Sequence, residues 1–186
     1  MKIVLIRHGE TEWSASGKHT SVTDLELTEN GRAAATALRG RLGEFPLVLA
    51  SPRRRAQETA ALAGYAPQIE PDLAEIAYGD YEGRTTKEIR AERPGWSVWA
   101  DGSPNGETLA EAGVRVDRVI ERALAADGDV AMFGHGHILR IVGARWVGLP
   151  PETAAVLALS TAALCILGFE RERRVIWLWN DTSHAG

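Results

Sequence analysis

Two adjacent side chains near the start of the sequence, Arg7 and His8, have types and spacing suited to phosphoryl-transfer chemistry. They follow an apolar run at residues 3–6, which predicts a short buried strand. The end of such a strand is where open α/β sheets usually bind ligands. A guanidinium binds phosphate oxygens in a bidentate manner, and its charge favours the neutral, nucleophilic form of a neighbouring imidazole. The pair therefore predicts attack by the histidine on a phosphoryl group.

A run of three arginines at residues 53–55 follows a second predicted strand at residues 47–50. The arginines open a predicted helix, whose N-terminus favours an anion. Successive helical residues point about 100° apart, so the three arginines cannot all face one pocket. Spacing alone does not decide which of them does, and a solvated basic corner is the alternative.

A second histidine motif, G-H-G-H at residues 134–137, follows a third predicted strand at residues 129–133. Glycines flank His135 and allow the backbone to approach a ligand closely. If the first and third predicted strands are neighbours in the sheet, His8 and His135 open onto the same crevice.

Phosphoryl transfer also needs a proton donor for the departing oxygen, and two glutamates are candidates. Glu75 and Glu82 both lie in an irregular, turn-rich stretch at residues 65–106. A carboxylic acid in a partly desolvated loop can supply the proton. Spacing does not choose between the two, and a surface carboxylate is the alternative for each.

The elements that must position these residues alternate between strand and helix. Apolar periodicity and capping residues predict the helices, with Asn105 as the cap of the fourth. The predicted helices lie at residues 29–42, 53–62, 86–92, 107–126 and 138–147, and further strands at residues 155–159, 162–169 and 175–179. This alternation predicts a three-layer α/β/α sandwich around a mainly parallel central sheet.

Length and composition limit the expected partners and location. The 186 residues suit a single domain over residues 1–186. The net charge of −4 gives no global basic field, so we expect neither nucleic acid nor a membrane as a partner. One cysteine, Cys165, and no recognisable secretory signal predict a reducing, cytoplasmic location. The apolar stretch at residues 154–169 is too short to span a membrane.

The motifs resemble those of the histidine phosphatase superfamily, the phosphoglycerate-mutase-like proteins, over nearly the whole chain. The L-I-R-H-G-E-T segment at residues 5–11 matches the motif that defines this family. Residues 27–31 match the segment that opens its first helix, and residues 134–136 match its second-histidine motif. The resemblance implies the phosphoglycerate-mutase-like fold.

The resemblance also selects among the candidates that the residues alone leave open. The R-A-x-x-T-A segment at residues 55–60 selects Arg55 from the arginine triplet. The acid loop at residues 73–83 places the family's proton donor at Glu75 rather than Glu82. Arg140 stands in the usual later place after the second histidine.

The resemblance then implies a role for each matched side chain. His8 is the expected nucleophile, which becomes a phosphohistidine. Arg7, Arg55 and His135 are expected to bind and neutralise the phosphoryl group. Glu75 is expected to protonate the leaving group and then to activate water. No metal and no other cofactor is implied, because the arginines supply the charge stabilisation that metal ions supply elsewhere.

Several positions near the implied site depart from the family pattern or have no assigned role. Ser14 stands where the family often has Asn, and we expect it and the backbone at Gly136 to take part in substrate binding. Arg53 replaces a usually apolar residue, and a rim charge is its expected effect. His137 is interpreted as structural or as a rim residue, and the role of Glu82 stays open.

Within the family, the loops look most like those of sugar-bisphosphatase members, including sedoheptulose-bisphosphatase-like proteins.

Three alternatives compete with hydrolysis of a small phosphorylated substrate: a mutase, a metal hydrolase and a non-catalytic binding module. A phosphoglycerate mutase must exclude water from the phosphohistidine, and the family's mutases carry insertions for which this chain has little room. A metal hydrolase built on His135 and His137 is weakened because alternate strand residues face opposite ways. A non-catalytic phosphate-binding module would have lost competent residues, and none is missing. Oligomeric state is open, with a homodimer as one option.

Overall fold

A computed structural model describes residues 1–184. The strands are β1 (Ile3–Arg7), β2 (Leu47–Ala50), β3 (Gln68–Ile69), β4 (Val130–Gly134), β5 (Leu164–Glu170) and β6 (Arg173–Asp181). The helices are α1 (Glu12–Ser16), α2 (Glu29–Ala37), α3 (Arg54–Leu62), α4 (Thr86–Glu92), α5 (Val98–Asp101), α6 (Leu109–Leu124) and α7 (Gly136–Trp146). Short 3-10 helices occupy Pro71–Leu73, Gly79–Tyr81 and Pro151–Val156.

The strands form one sheet in the order β3-β2-β4-β1-β5-β6. The first four strands in this order run parallel, whereas β5 and β6 are antiparallel to their neighbours. β1 and β4 pair directly, with Arg7 opposite Gly134. The condition under which His8 and His135 open onto one crevice is therefore met, since the two strands are neighbours and their carboxyl ends meet at one edge of the sheet.

The central strand β1 is buried on both faces, as expected for a parallel strand between helical layers. Ile3 and Leu5 join a core cluster with apolar residues of α6 and α7. Val4 and Ile6 join a second cluster on the other face, next to the helical layer of α2 and α3. This alternation confirms the predicted α/β/α layering, and it holds the end of β1 rigidly where His8 follows.

Some details of the predicted elements are wrong. The first predicted helix, at residues 29–42, ends at Ala37. Residues 155–159 are not a strand, because Pro151 opens a 3-10 helix that runs to Val156, at a position where its missing N–H is not needed. The next carbonyl oxygens, of Ala158 and Leu159, accept from side chains rather than from a strand. The N-cap of α6 is not Asn105 but Thr108. The Thr108 hydroxyl and the Glu111 carboxylate form a reciprocal capping box.

A close contact between two backbones holds the chain just after His8. Gly31, in the first turn of α2, packs against the loop that follows β1. A Cβ atom at Gly31 would sit 2.2 Å from the Glu10 carbonyl oxygen in that loop. Gly9 meets Gly31 from the other side, with a Cβ position 2.5 Å from its carbonyl oxygen. Only glycine permits this packing.

None of the helices within residues 1–184 has the length and apolarity needed to cross a membrane.

Candidate active site

A cavity of about 170 Å³ lies at the carboxyl ends of β1 and β4. Five of the predicted site residues line it: Arg7, His8, Ser14, Glu75 and Gly136. The loop after Ser14, which the sequence likens to sugar-bisphosphatase members, also lines it, through Gly17, Lys18, His19 and Thr20. Sequence reasoning did not assign Tyr78 and Leu159 to the site, because they reach it from segments distant along the chain.

The His8 ring has its tautomer set by a neighbouring carbonyl. His8 Nδ1 lies 2.7 Å from the Gly9 carbonyl oxygen, which can only accept, so Nδ1 carries the proton. Within residues 1–184, Nε2 makes no hydrogen bond, and its lone pair is available in the cavity. Burial, reinforced by the charges of Arg7 and Arg55, lowers the pKa of His8 well below its ordinary value. The ring is therefore neutral and nucleophilic at neutral pH.

His135 has the opposite tautomer. Arg55 Nε, which can only donate, lies 3.2 Å from His135 Nδ1. The proton of His135 is therefore on Nε2, which donates to the Ser51 hydroxyl at 2.7 Å. Burial and the positive charge of Arg55 lower the pKa of His135 well below its usual range. Its ring centroid lies 5.1 Å from that of His8, so the two neutral imidazoles pack edge to face.

Arg55 is fully buried and lies outside the cavity lining. Besides the bond to His135, its guanidinium donates to the carbonyl oxygens of Thr23 at 2.9 Å, Thr20 at 3.2 Å and Ser21 at 3.4 Å. Four of its five N–H groups thus have protein acceptors. In this arrangement Arg55 orients His135 and adds positive charge beneath the cavity.

Arg7 is the arginine that lines the cavity. It donates from Nη1 to the Leu159 carbonyl oxygen at 2.6 Å, and its buried Nε has no partner within the described residues. The guanidinium lies against Gly136, where a Cβ atom would approach its central carbon to 3.3 Å. Gly136 therefore lets Arg7 lie beside the N-terminus of α7, where two positive groups face one cavity.

Glu75 caps the N-terminus of α7 from another segment of the chain. Its carboxylate accepts the backbone N–H groups of His137 at 3.0 Å and Ile138 at 2.8 Å. Burial acts to raise the pKa of Glu75, but hydrogen bonding and charge from His137 hold it well below the ordinary value. The carboxyl is thus ionised in this arrangement at neutral pH.

The other candidate acid, Glu82, does not line the cavity. Its carboxylate binds the backbone and hydroxyl of Ser21 and the backbone of Thr23. Of the two glutamates that the residues alone could not separate, the structure places Glu75 at the cavity and Glu82 behind one of its walls.

Ser14 lines the cavity, but its hydroxyl already serves the cap of α1. It accepts from the Thr11 N–H at 2.9 Å and donates to the Thr11 carbonyl oxygen at 3.0 Å. A hydroxyl has one proton, so Ser14 must release this carbonyl to donate to a phosphate. Arg53 does not line the cavity.

Aromatic rings surround the rim. Tyr78 Oη lies 2.6 Å from His137 Nδ1, and the His137 ring packs 4.9 Å from Trp99. The Arg140 guanidinium stacks on the Trp99 ring, with its central carbon 4.4 Å from the ring centroid. Burial, with the charge of His137, lowers the pKa of His19 to about 4. Across residues 1–184, no three His, Cys, Asp or Glu side chains are grouped so that they could hold a metal ion.

Comparisons with known proteins agree with this geometry. The sequence model of the histidine phosphatase superfamily (branch 1) matches residues 3–182. The chain is 42% identical over 190 residues to an acid phosphatase of Mycobacterium tuberculosis, covering 98% of this chain and 94% of that protein. It is 36% identical over 185 residues to sedoheptulose 1,7-bisphosphatase of Saccharomyces cerevisiae, covering 80% and 68%. A solved structure of an open reading frame from Mycobacterium tuberculosis superimposes with a TM-score of 0.92 at 41% identity, covering 96% of each chain.

The hydrogen bonds predict opposite tautomers for the two buried histidines. Long-range ¹H–¹⁵N NMR at pH 7 should show the proton of His8 on Nδ1 and that of His135 on Nε2. Because both pKa values are depressed, neither ring should become an imidazolium between pH 8 and pH 6. The spectrum of His8→Asn assigns the signals. An imidazolium pattern for His8 at pH 6.5, or the same tautomer for both rings, would contradict this arrangement.

Proposed function

The chain belongs to the histidine phosphatase superfamily, and we propose that it hydrolyses small phosphomonoesters through a phosphohistidine at His8. The observation that carries this proposal is the neutral His8 ring, whose Nδ1–H is held by a carbonyl while its Nε2 lone pair is free at the cavity. A nucleophile of this kind divides one difficult displacement into two easier ones.

In the first step, Nε2 of His8 forms a bond to phosphorus as the bond from phosphorus to the leaving oxygen breaks. Arg7 and the Gly136 N–H at the N-terminus of α7 receive the phosphoryl oxygens, since Glu75 already binds the next two N–H groups of that helix. The buried charge of Arg55 adds to the field. In the second step, water attacks phosphorus, the P–N bond breaks and inorganic phosphate leaves. His8 returns to its neutral state.

Glu75 manages the proton in both steps. It gives a proton to the leaving oxygen, and then takes one from the attacking water. The carboxyl is ionised in the structure as described, but a phosphate dianion beside it raises its pKa, because two like charges disfavour ionisation. Binding of substrate therefore brings the carboxyl toward the protonated form that the first step requires.

The leaving group that fits this cavity is small, polar and anionic, as in a sugar phosphate or bisphosphate. Lys18 and Arg140 line the cavity, and neither forms an ion pair within residues 1–184. Among the described residues that line the cavity, Glu75 is the one carboxylate. The similarity to a sedoheptulose 1,7-bisphosphatase supports the same class of substrate.

A cytoplasmic location stays a proposal, supported by the single buried thiol of Cys165.

Replacing His8 by Asn should lower turnover of any phosphomonoester by about 10³-fold or more, because the nucleophile is lost. Base quenching of the wild-type enzyme during turnover of a ³²P-labelled substrate should trap protein-bound label that is stable in base and released by acid. His184→Asn, outside the cavity, should retain both properties. Transfer of the label to an added phosphoglycerate, with little free phosphate, would instead support a mutase. Strong residual activity without label in His8→Asn would contradict the proposal.

Replacing Glu75 by Gln should lower kcat for alkyl phosphates by about 10²- to 10⁴-fold, since the proton donor is lost. An aryl phosphate with an activated leaving group should lose much less. The acid must be protonated, so wild-type kcat for alkyl phosphates should fall as pH rises through the pKa of bound Glu75. That limb of the pH profile should be absent in Glu75→Gln. Equal losses on both substrate types would argue against Glu75 as the acid.

Replacing Lys18 by Met should raise KM for a sugar bisphosphate by about 5- to 50-fold, in line with the loss of one charge-assisted contact. The KM for a simple aryl phosphate should change less than twofold. Lys87→Met, on the exposed face of α4, is the matched control. A uniform change for both substrates, or the same change in Lys87→Met, would rule out a role of Lys18 in recognising the leaving group.

A further inference from the structure

Glu82 is a half-buried carboxylate with no part in the proposed reaction, yet both of its oxygens accept hydrogen bonds from the protein. It accepts hydrogen bonds from the Ser21 N–H at 2.9 Å, the Thr23 N–H at 3.0 Å and the Ser21 hydroxyl at 2.5 Å. Burial opposes its charge, but these bonds bring the pKa of Glu82 below its ordinary value. Glu82 therefore holds the N–H edge of residues 20–23 as an anion.

Arg55 holds the opposite edge of the same segment. Its guanidinium donates to the carbonyl oxygens of Thr20, Ser21 and Thr23. Residues 20–23 thus lie between an anion that accepts their N–H groups and a fully buried cation that binds their carbonyls. Such a segment has few alternative conformations, because a shift would leave a buried charge without partners.

The segment connects directly to the catalytic geometry in two ways. Thr20 itself lines the cavity, and so do Lys18 and His19 before it. Arg55, placed by the same carbonyls, donates to Nδ1 of His135 and so fixes the tautomer of a ring that packs on His8.

We propose that Glu82 is a positioning residue for phosphoryl transfer, which acts by holding residues 20–23 against Arg55. The inference rests on the proposed function for its kinetic consequences. It assigns no direct contact between Glu82 and substrate. Displacement of a reacting group by about 1 Å can cost on the order of 10²-fold in rate, so loss of the carboxylate reaches the chemistry through Arg55.

The first test compares Glu82→Gln with a matched control. Glu88→Gln removes the same kind of carboxylate, one that accepts the N–H and hydroxyl of Thr85 in the capping box of α4 and, among the described residues, has no hydrogen bond to Arg55 or to residues 20–23. Glu82→Gln should lower kcat/KM for an aryl phosphate by about 10- to 100-fold, and Glu88→Gln by less than twofold. Equal kinetic effects of the two variants at a temperature where both are folded would overturn the proposal.

The second test asks whether Glu82 acts through Arg55. In a double-mutant cycle on kcat/KM, Glu82→Gln should have less than a threefold further effect once Arg55 is replaced by Lys. Full additivity of the two losses would contradict the proposed connection. If Glu82→Gln does not fold, Glu82→Asp keeps the charge but shortens the side chain, so that it can no longer reach all three donors, and the same cycle applies.

A third readout does not depend on activity. In Glu82→Gln, the ¹⁵N shift of His135 Nδ1 should move toward that of an imidazole nitrogen without a donor, and in Glu88→Gln it should stay as in the wild type. An unchanged shift in Glu82→Gln would overturn the positioning role. If Glu82→Gln shows this change but the wild-type protein forms no phosphohistidine, the proposed function fails while the positioning of Arg55 by Glu82 stands.

Discussion

The site depends on one hydrogen bond, that from His8 Nδ1 to the Gly9 carbonyl oxygen. This bond places the single proton of the neutral ring away from the cavity, and leaves Nε2 unprotonated as the proposed nucleophile. The bond requires that Gly9 stay where it is. The Gly9 N–H donates to Thr59 Oγ1 at 3.0 Å, and its Cα lies directly against Gly31. The backbone around the nucleophile is therefore held by α3 and α2 as well as by β1.

The charged groups around the His8 ring control its protonation state and also hold its neighbours in place. Burial and the nearby guanidinium groups keep both buried histidines neutral, because a further positive charge in this desolvated cluster is unfavourable. Glu75 offsets part of the positive charge and caps α7, which begins directly after His135. The acid, the second histidine and the helix N-terminus are thus positioned as one unit. Arg55 and Glu82 extend that unit outward to the wall of the cavity.

The elements that follow local rules were predictable, and the exceptions have physical reasons. The buried strand before His8 and the helix after Arg53 follow from apolar runs and periodicity. The cap of α6 was missed because Asn105 and Thr108 are both good capping residues, and the reciprocal bond with Glu111 decides in favour of Thr108. The strand expected at residues 155–159 does not form because the 3-10 helix that begins at Pro151 runs to Val156, and the carbonyl oxygens of Ala158 and Leu159 accept from side chains.

The sequence by itself determined the fold class, the two histidine motifs at strand ends and the residues able to carry phosphoryl transfer. These features depend on residue type and on spacing within a single element. The family resemblance already pointed to Glu75 rather than Glu82. Only the tertiary structure decided that Arg7 lines the cavity while Arg55 lies beneath it, and which nitrogen of each imidazole carries the proton. Each of those outcomes depends on which backbone groups from distant segments surround a side chain, because hydrogen-bond partners in a folded core are set by packing rather than by sequence neighbourhood.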